Sequence, residues 1–127
     1  MTEDEAARVI VDTALRIHRA LGPGLLESVY SATLAGGLRE RGLRVASEVG
    51  VPVEFEGERF ELGFRADLIV EDCVIVEVKS VTDLSAVHKK QLLTYLRLGD
   101  KRLGLLINFN VALIKDGICR IANGLSA

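Results

Sequence analysis

The sequence predicts an α/β or α+β domain built around a central mixed sheet. Three observations carry that prediction. Two amphipathic helical patterns open the chain, strand-like runs follow them, and a third helical pattern separates the early strands from the later ones. With 127 residues the chain has the size of one domain, 1–127, long enough to bury a core.

Each element has its own local reason. Thr2 and Glu5 have the spacing of a capping box, and Ala6, Val9, Ile10, Thr13, Ala14, Ile17 and Leu21 then recur at helical spacing. Gly22-Pro23-Gly24 breaks that helix, and a second is expected from about Leu25 to Arg41, stopped by Gly42. Arg44 to Phe55 and Phe60 to Val70 read as strands joined by a turn at Glu56-Gly57-Glu58, and Val74 to Val78 as a short apolar strand. A third helix is expected from about Leu84 to Leu98, then a buried strand from Gly104 to Phe109. Asp116-Gly117, between Ala112–Lys115 and Ile118–Ile121, carries a hairpin signal.

Composition narrows the function classes. Apolar residues make up 49% and charged residues 27%, the balance of a soluble globular chain. The net charge of −2 supplies no general attraction for polyanions, so nucleic-acid contact would need a local basic surface. Arg39, Arg41 and Arg44 form one candidate, and Lys89, Lys90, Arg97, Lys101 and Arg102 another. Cys73 and Cys119 lack zinc-site spacing and lie in apolar runs, so buried free thiols are expected. No apolar run approaches the ~18 residues of a membrane span. The acidic, amphipathic N-terminus is unlike a signal peptide, and a reducing cytoplasm is the expected compartment.

Several charged residues fall where alternation would not place them idly. Phe60, Leu62, Phe64, Ala66, Leu68 and Val70 should share one face of their strand, leaving Asp67 and Arg65 on the other. Glu77 and Lys79 share a face of the following strand, opposite Val74, Val76 and Val78. One reading is a solvated sheet face with a surface ion pair. The other is a site in which two carboxylates and a lysine hold a hard divalent cation and leave room for water and a phosphate oxygen. For Asp67 to lie opposite Glu77, the turn near Glu71-Asp72-Cys73 must be an odd one, or a bulge must act in its place. A two-residue turn at Glu71-Asp72 would pair Asp67 with Val76 instead.

The helices add to this. Leu84, Val87, Leu92 and Leu98 should define the apolar face of the third helix, with His88, Gln91 and Tyr95 in its middle. Polar groups facing a core need partners. They are either individually satisfied core residues or members of one polar cleft over Asp67, Glu77 and Lys79. Glu27, on a stripe with Tyr30, Leu34 and Leu38, is either a helix N-terminal charge or part of the same cleft.

These residues together resemble a known family. Asp67…Glu77-Val78-Lys79 is similar to the D…(D/E)XK signature of the PD-(D/E)XK nuclease superfamily, with Ala66 where the name has proline. Gln91-x-x-x-Tyr95 resembles the QxxxY element of exonuclease-type members. Gly24-Leu25-Leu26-Glu27-Ser28-Val29-Tyr30 resembles the signature of the small proteins called GxxExxY. Arg65-Ala66-Asp67, His88 and Gly104 to Asn110 follow in that family's order. The likeness runs from about Ile17 to Asn123. It implies the restriction-endonuclease-like α/β core, a central mixed sheet flanked by helices.

The resemblance also implies a chemistry. Asp67, Glu77 and the main-chain carbonyl of Val78 would ligate Mg2+ or Mn2+. Lys79 would orient or activate the attacking water, with Glu27 assisting and Gln91 holding the water or a phosphate oxygen. Tyr95, His88 and Arg65 would contact substrate. The expected activity is metal-dependent hydrolysis of nucleic-acid phosphodiester bonds, DNA more than RNA. A homodimer is compatible with this reading, and a membrane partner is not. Two alternatives stand beside it: a nucleic-acid-binding or adaptor module with a degenerate nuclease site, and a structural oligomer whose polar cleft is a satisfied core network. The nuclease reading expects Glu27, Asp67, Glu77, Lys79 and Gln91 to converge on one concavity.

Overall fold

A computed structural model describes residues 1–125, so the last two residues of the expected 1–127 domain lie outside the described residues. The chain runs α1 (Glu3–Leu21), α2 (Glu27–Glu40), β1 (Val45–Phe55), β2 (Glu58–Val70), β3 (Val74–Lys79), α3 (Ala86–Leu98), β4 (Leu103–Asn108), a single 3-10 turn (Ile114–Gly117) and β5 (Ile118–Ala122). The five strands form one sheet in sequence order, β1-β2-β3-β4-β5. β3 and β4 are parallel, joined across α3, and the other three pairs are antiparallel. The sheet is therefore mixed and flanked by three helices, as expected. Among the described residues no helix is long and apolar enough to cross a membrane.

α1 starts where the capping box places it. The Glu5 N–H donates to Thr2 Oγ1 at 3.1 Å and the Thr2 N–H to Glu5 Oε1 at 2.9 Å, satisfying two donors that a bare helix end would leave open. Its buried stripe, Ala6, Ile10, Thr13, Ala14 and Ile17, packs with Tyr30, Leu34 and Leu38 of α2 over one face of the sheet. α2 begins at Glu27, two residues later than the expected Leu25. The Tyr30 hydroxyl accounts for the delay. It accepts from the Leu25 N–H at 3.1 Å and donates to the Gly22 carbonyl at 2.5 Å, holding the Gly22–Leu26 linker in a bent, non-helical path around the hydroxyl. Gly22 and Gly24 serve that linker at φ +72° and +100°, which side-chain-bearing residues rarely adopt.

α3 covers the other face. The expectation that Leu84, Val87, Leu92 and Leu98 form its apolar side is corrected: Leu92 and Leu96 are fully buried, while Val87 is 70% and Leu98 44% exposed. The rotation has a local cause. Gly104 of β4 leaves a gap that Leu92 fills so closely that a Cβ there would lie 2.9 Å from Leu92 Cγ. Leu92 and Leu96 then pack on Phe64, Ala66, Ile75 and Leu106.

Two further expectations change. Phe64 and Ala66 sit in the core beneath α3, whereas Leu68 and Val70 sit in the core beneath α1 and α2, so they do not share a face. The alternation breaks at Asp67, where the β1–β2 ladder skips one pair and Glu48 of β1 takes φ +50°. Further along, Ala112–Lys115 is no strand, and Asp116-Gly117 is no hairpin tip. Ile114 is buried in the α1–α2 core, the 3-10 turn ends at Gly117, and β5 pairs with β4 instead. The two turns between β1, β2 and β3 agree with expectation. Glu56 and Gly57 (φ +47° and +85°) make a two-residue hairpin. Glu71, Asp72 and Cys73 make the odd connection between Val70 and Val74.

At Gly117 a Cβ would run into the main-chain carbonyl of Asn108 and come within 3.1 Å of Val111 Cγ2. Backbone cannot yield as a side chain does. Gly117→Ala is therefore expected to destabilise the fold by about 3 kcal/mol, the upper end of overpacking costs. Urea denaturation should show a lowered midpoint with the slope unchanged.

Candidate active site

The sheet opens a gap at its centre. β2 and β3 pair only over Leu68–Val70 and Val74–Val76, after which the two strands diverge. Asp67 and Glu77 come next on the two sides, opposite one another as the odd turn requires. Each carboxylate takes the place of a missing strand partner. The Asp67 N–H donates to Glu77 Oε2 at 2.8 Å, and the Val78 N–H donates to Asp67 Oδ2 at 2.8 Å. Asp67 thus directs its side chain along the sheet toward β3. The second oxygen of each carboxylate makes no hydrogen bond to a described residue.

Burial sets the electrostatics. Glu77 is only 5% exposed, and burial, reinforced by the charge of Asp67, pushes its carboxyl up to about 7. Burial also raises Asp67, against the opposing pull of the Val78 N–H and the Lys79 charge. Tyr95 of α3 is raised by burial and then by the negative charges of Glu77 and Asp67. Its ring lies flat on Phe64, centroids 4.1 Å apart and planes 6° apart.

Other predicted residues stand at varied distances from this centre. Lys79 is the half-buried last residue of β3, and its charge acts on both carboxylates. Glu27 begins α2 and accepts from the Ser80 N–H through Oε2 at 3.1 Å, which ties that helix to the end of β3. Gln91 is exposed, one turn before Tyr95, and has no hydrogen bond to a described residue. His88 is engaged in the α3 cap. Its Nδ1 accepts from the Ser85 N–H at 3.1 Å, which leaves the ring proton on Nε2. Arg65 is exposed on β2, opposite Gly50 of β1.

Two residues near the centre were not among the predicted ones. Ser80 donates its hydroxyl to the Leu25 carbonyl at 2.7 Å, beside its N–H bond to Glu27. Ser80, Leu25 and Glu27 line a surface cavity of about 580 Å³ together with Gly24, Leu26, Ser28 and Asn110; Asp67 and Glu77 do not line it. The second residue is Glu48, whose charge adds to the raising of Asp67. Counting back from the hairpin at Glu56-Gly57 would place Glu48 opposite Arg65. A register shift between Val51 and Val53 moves the frame, and the pairs Ser47↔Leu68 and Val49↔Ala66 then bracket Glu48 and Asp67.

Among the described residues no three His, Cys, Asp or Glu side chains stand close enough together to hold a metal ion. The donors that are present still suit a magnesium-like ion. That ion is commonly held by one or two carboxylates, with water and substrate oxygen completing its shell. Asp67 and Glu77 are hard oxygen donors whose mutual repulsion a divalent charge would relieve. The Val78 N–H points at Asp67, and in an extended strand the carbonyl of the same residue leaves by the same edge.

The profile of the PD-(D/E)XK nuclease superfamily matches residues 4–121. No curated protein matches the chain. Among solved structures, the crystal structure of SSO0001 is similar in fold, with a TM-score of 0.54 and 23% identity. The likeness covers 98% of this chain and 60% of that one, so this chain spans less than two thirds of SSO0001.

The raised carboxyl of Glu77 has a consequence for stability. A folded-state value above the ordinary 4.5 means that the folded chain binds this proton more tightly than the unfolded chain. Stability is then highest at low pH on this account and falls as pH rises from about 4.5 to above 7. The loss should be on the order of 3 kcal/mol. Glu77→Gln keeps an acceptor for the Asp67 N–H but carries no charge, and should remove this fall. Urea unfolding of both proteins at pH 5 and pH 8, without divalent ions, checks it: parallel pH trends would contradict the assignment.

Proposed function

The chain belongs to the PD-(D/E)XK nuclease superfamily, and on that premise we propose that it is a metal-dependent nuclease of the GxxExxY type, acting on nucleic acid, DNA more than RNA. The observation that supports this most is the crossed pair of carboxylate–amide bonds between Asp67 and Glu77-Val78, which leaves one oxygen of each carboxylate free. Asp67, Glu77 and the Val78 carbonyl would hold Mg2+ or Mn2+. The ion would supply positive charge to a phosphate oxygen as negative charge builds there.

The chain's own residues have separate tasks in this reading. Lys79 donates N–H groups to the attacking water and to a phosphate oxygen, and offers no lone pair to a metal while protonated. Glu27 holds the end of β3 through Ser80 and adds negative charge toward both carboxylates. Tyr95 covers the pair from α3, its ring backed by Phe64. Gln91, exposed on the same side of that helix, is available to a phosphate oxygen or water. His88 offers Nε2–H and Arg65 its guanidinium to more distant phosphates.

One observation favours the second reading, a binding or adaptor module with weakened hydrolysis. The β1–β2 hairpin beyond Ala66 carries Glu54, Glu56, Glu58 and Glu61 against Arg59 and Arg65. An acidic ribbon of this kind repels a nucleic-acid backbone.

Three measurements side by side separate the readings: manganese affinity by calorimetry, melting temperature, and magnesium-dependent cleavage of single- and double-stranded substrates. Lys79→Ala should lower cleavage by ~100-fold or more with metal affinity and folding retained. Asp67→Asn should lose metal affinity and cleavage together and melt at a higher temperature, because one of two crowded acids is neutralised. Wild-type protein that binds no divalent ion at millimolar concentration and cuts nothing would overturn the nuclease reading in favour of the binding module.

A further inference from the structure

We propose that Asn108 is a positioning residue for Lys79, clamping the turn that follows β3 so that the lysine side chain leaves the sheet at one fixed point. This rests on the reading of Lys79 as the group that orients water. Asn108 closes β4 opposite Lys79, the last pair of the parallel ladder. It is only 2% exposed in a strand whose other five residues are a glycine and four aliphatics. A polar amide in that position costs free energy unless every bond is made.

Its side-chain bonds all go to main chain just past the site. Nδ2 donates to the Val81 carbonyl at 2.9 Å, while Oδ1 accepts from the Val81 N–H at 3.1 Å and the Asn110 N–H at 3.2 Å. The two-way exchange with Val81 copies a strand pair, so the side chain continues the ladder two residues beyond Lys79. The Phe109 N–H donates to the Lys79 carbonyl at 2.9 Å. On the other side, Glu27 at the start of α2 and the Leu25 carbonyl of the linker before it hold Ser80. The backbone of Lys79 and the two residues after it is therefore held from two directions. Lysine has a long flexible stem, and a fixed root is what restricts its reach. An apolar residue at 108 would fill the same space but could not hold Val81.

The test reads Lys79 directly. After reductive 13C-methylation of the lysines, Lys79 should give its own resonance in wild-type protein, assigned by its absence in Lys79→Ala. In Asn108→Ala that signal should move toward those of the exposed lysines Lys89 and Lys90, with the remaining lysine signals unmoved. Manganese affinity should stay within about twofold, and kcat for cleavage should fall at least tenfold with KM unchanged. If Asn108→Ala fails to fold, Asn108→Asp keeps the volume and the accepting oxygen, loses the bond to the Val81 carbonyl, and should show a smaller displacement of the same signal. An unmoved Lys79 resonance in either folded variant overturns the proposal. So does a loss spread equally over kcat, KM, metal affinity and all lysine signals, the mark of a merely structural residue. Wild-type protein that cuts nothing overturns the nuclease reading instead, and the resonance alone then decides the role of Asn108.

Discussion

The exchange between Asp67 and Glu77-Val78 is the constraint from which the site follows. Where β2 and β3 diverge, two main-chain N–H groups lose their strand partners in the middle of a sheet covered on both faces. Left bare, each would cost ~1–3 kcal/mol. The carboxylates of Asp67 and Glu77 accept both bonds, so the gap is tolerated. The same solution crowds two acids into a buried space and raises both. Satisfying the backbone and concentrating negative charge are thus one event. A divalent cation is the natural counter-charge for that arrangement, and the proposed chemistry is built on it.

The rest of the molecule holds this gap open and surrounds it. Tyr30 pins the bent Gly22–Leu26 linker that leads into α2, and Phe109 stacks on that tyrosine with ring centroids 4.4 Å apart. The element after β4 thereby supports the element before β1. On the opposite side, the glycine at 104 lets α3 settle on the sheet through Leu92 and Leu96, with Tyr95 packed on Phe64. β2 contributes by changing faces. Phe64 and Ala66 lie under α3, Leu68 and Val70 under α1 and α2, and Asp67 at the crossing is free to point along the sheet.

Beyond Ala66 the β1–β2 hairpin leaves the body of the sheet and pairs only with itself. It carries exposed Phe55, Phe60 and Leu62 among its glutamates. Gly63 accommodates its irregular register, since a Cβ there would collide with the side chain of Val53. That irregularity brings Glu48 up to Asp67. Glu48 is accordingly a residue of the site's electrostatics that no count along the strands would have found.

What the sequence determined by itself is what depends on near neighbours. The capping box at Thr2, the break at Gly22-Pro23-Gly24, the Glu56-Gly57 turn and the odd connection at Glu71-Asp72-Cys73 are all short-range. The last of these was enough to set Asp67 opposite Glu77, because strand register is inherited from the turn. The spacing of Glu77 and Lys79 and the ordered motifs along the chain pointed to the superfamily for the same reason. Tertiary structure decided whatever depends on the partner surface. The rotation of α3 followed from a missing Cβ on β4, the change of face at Asp67 from the divergence of β2 and β3, and the position of Glu48 from a register shift within the hairpin. The Asp116-Gly117 signal lost its hairpin because Ile114 had a core to enter. Asn108 stood within the Gly104–Asn110 motif, but its role and that of Ser80 could not be read, since their side chains bond main-chain atoms and a main-chain atom carries no residue identity for a pattern to reveal. Local propensities name the elements, but contacts between elements distant in the chain choose which face each one shows.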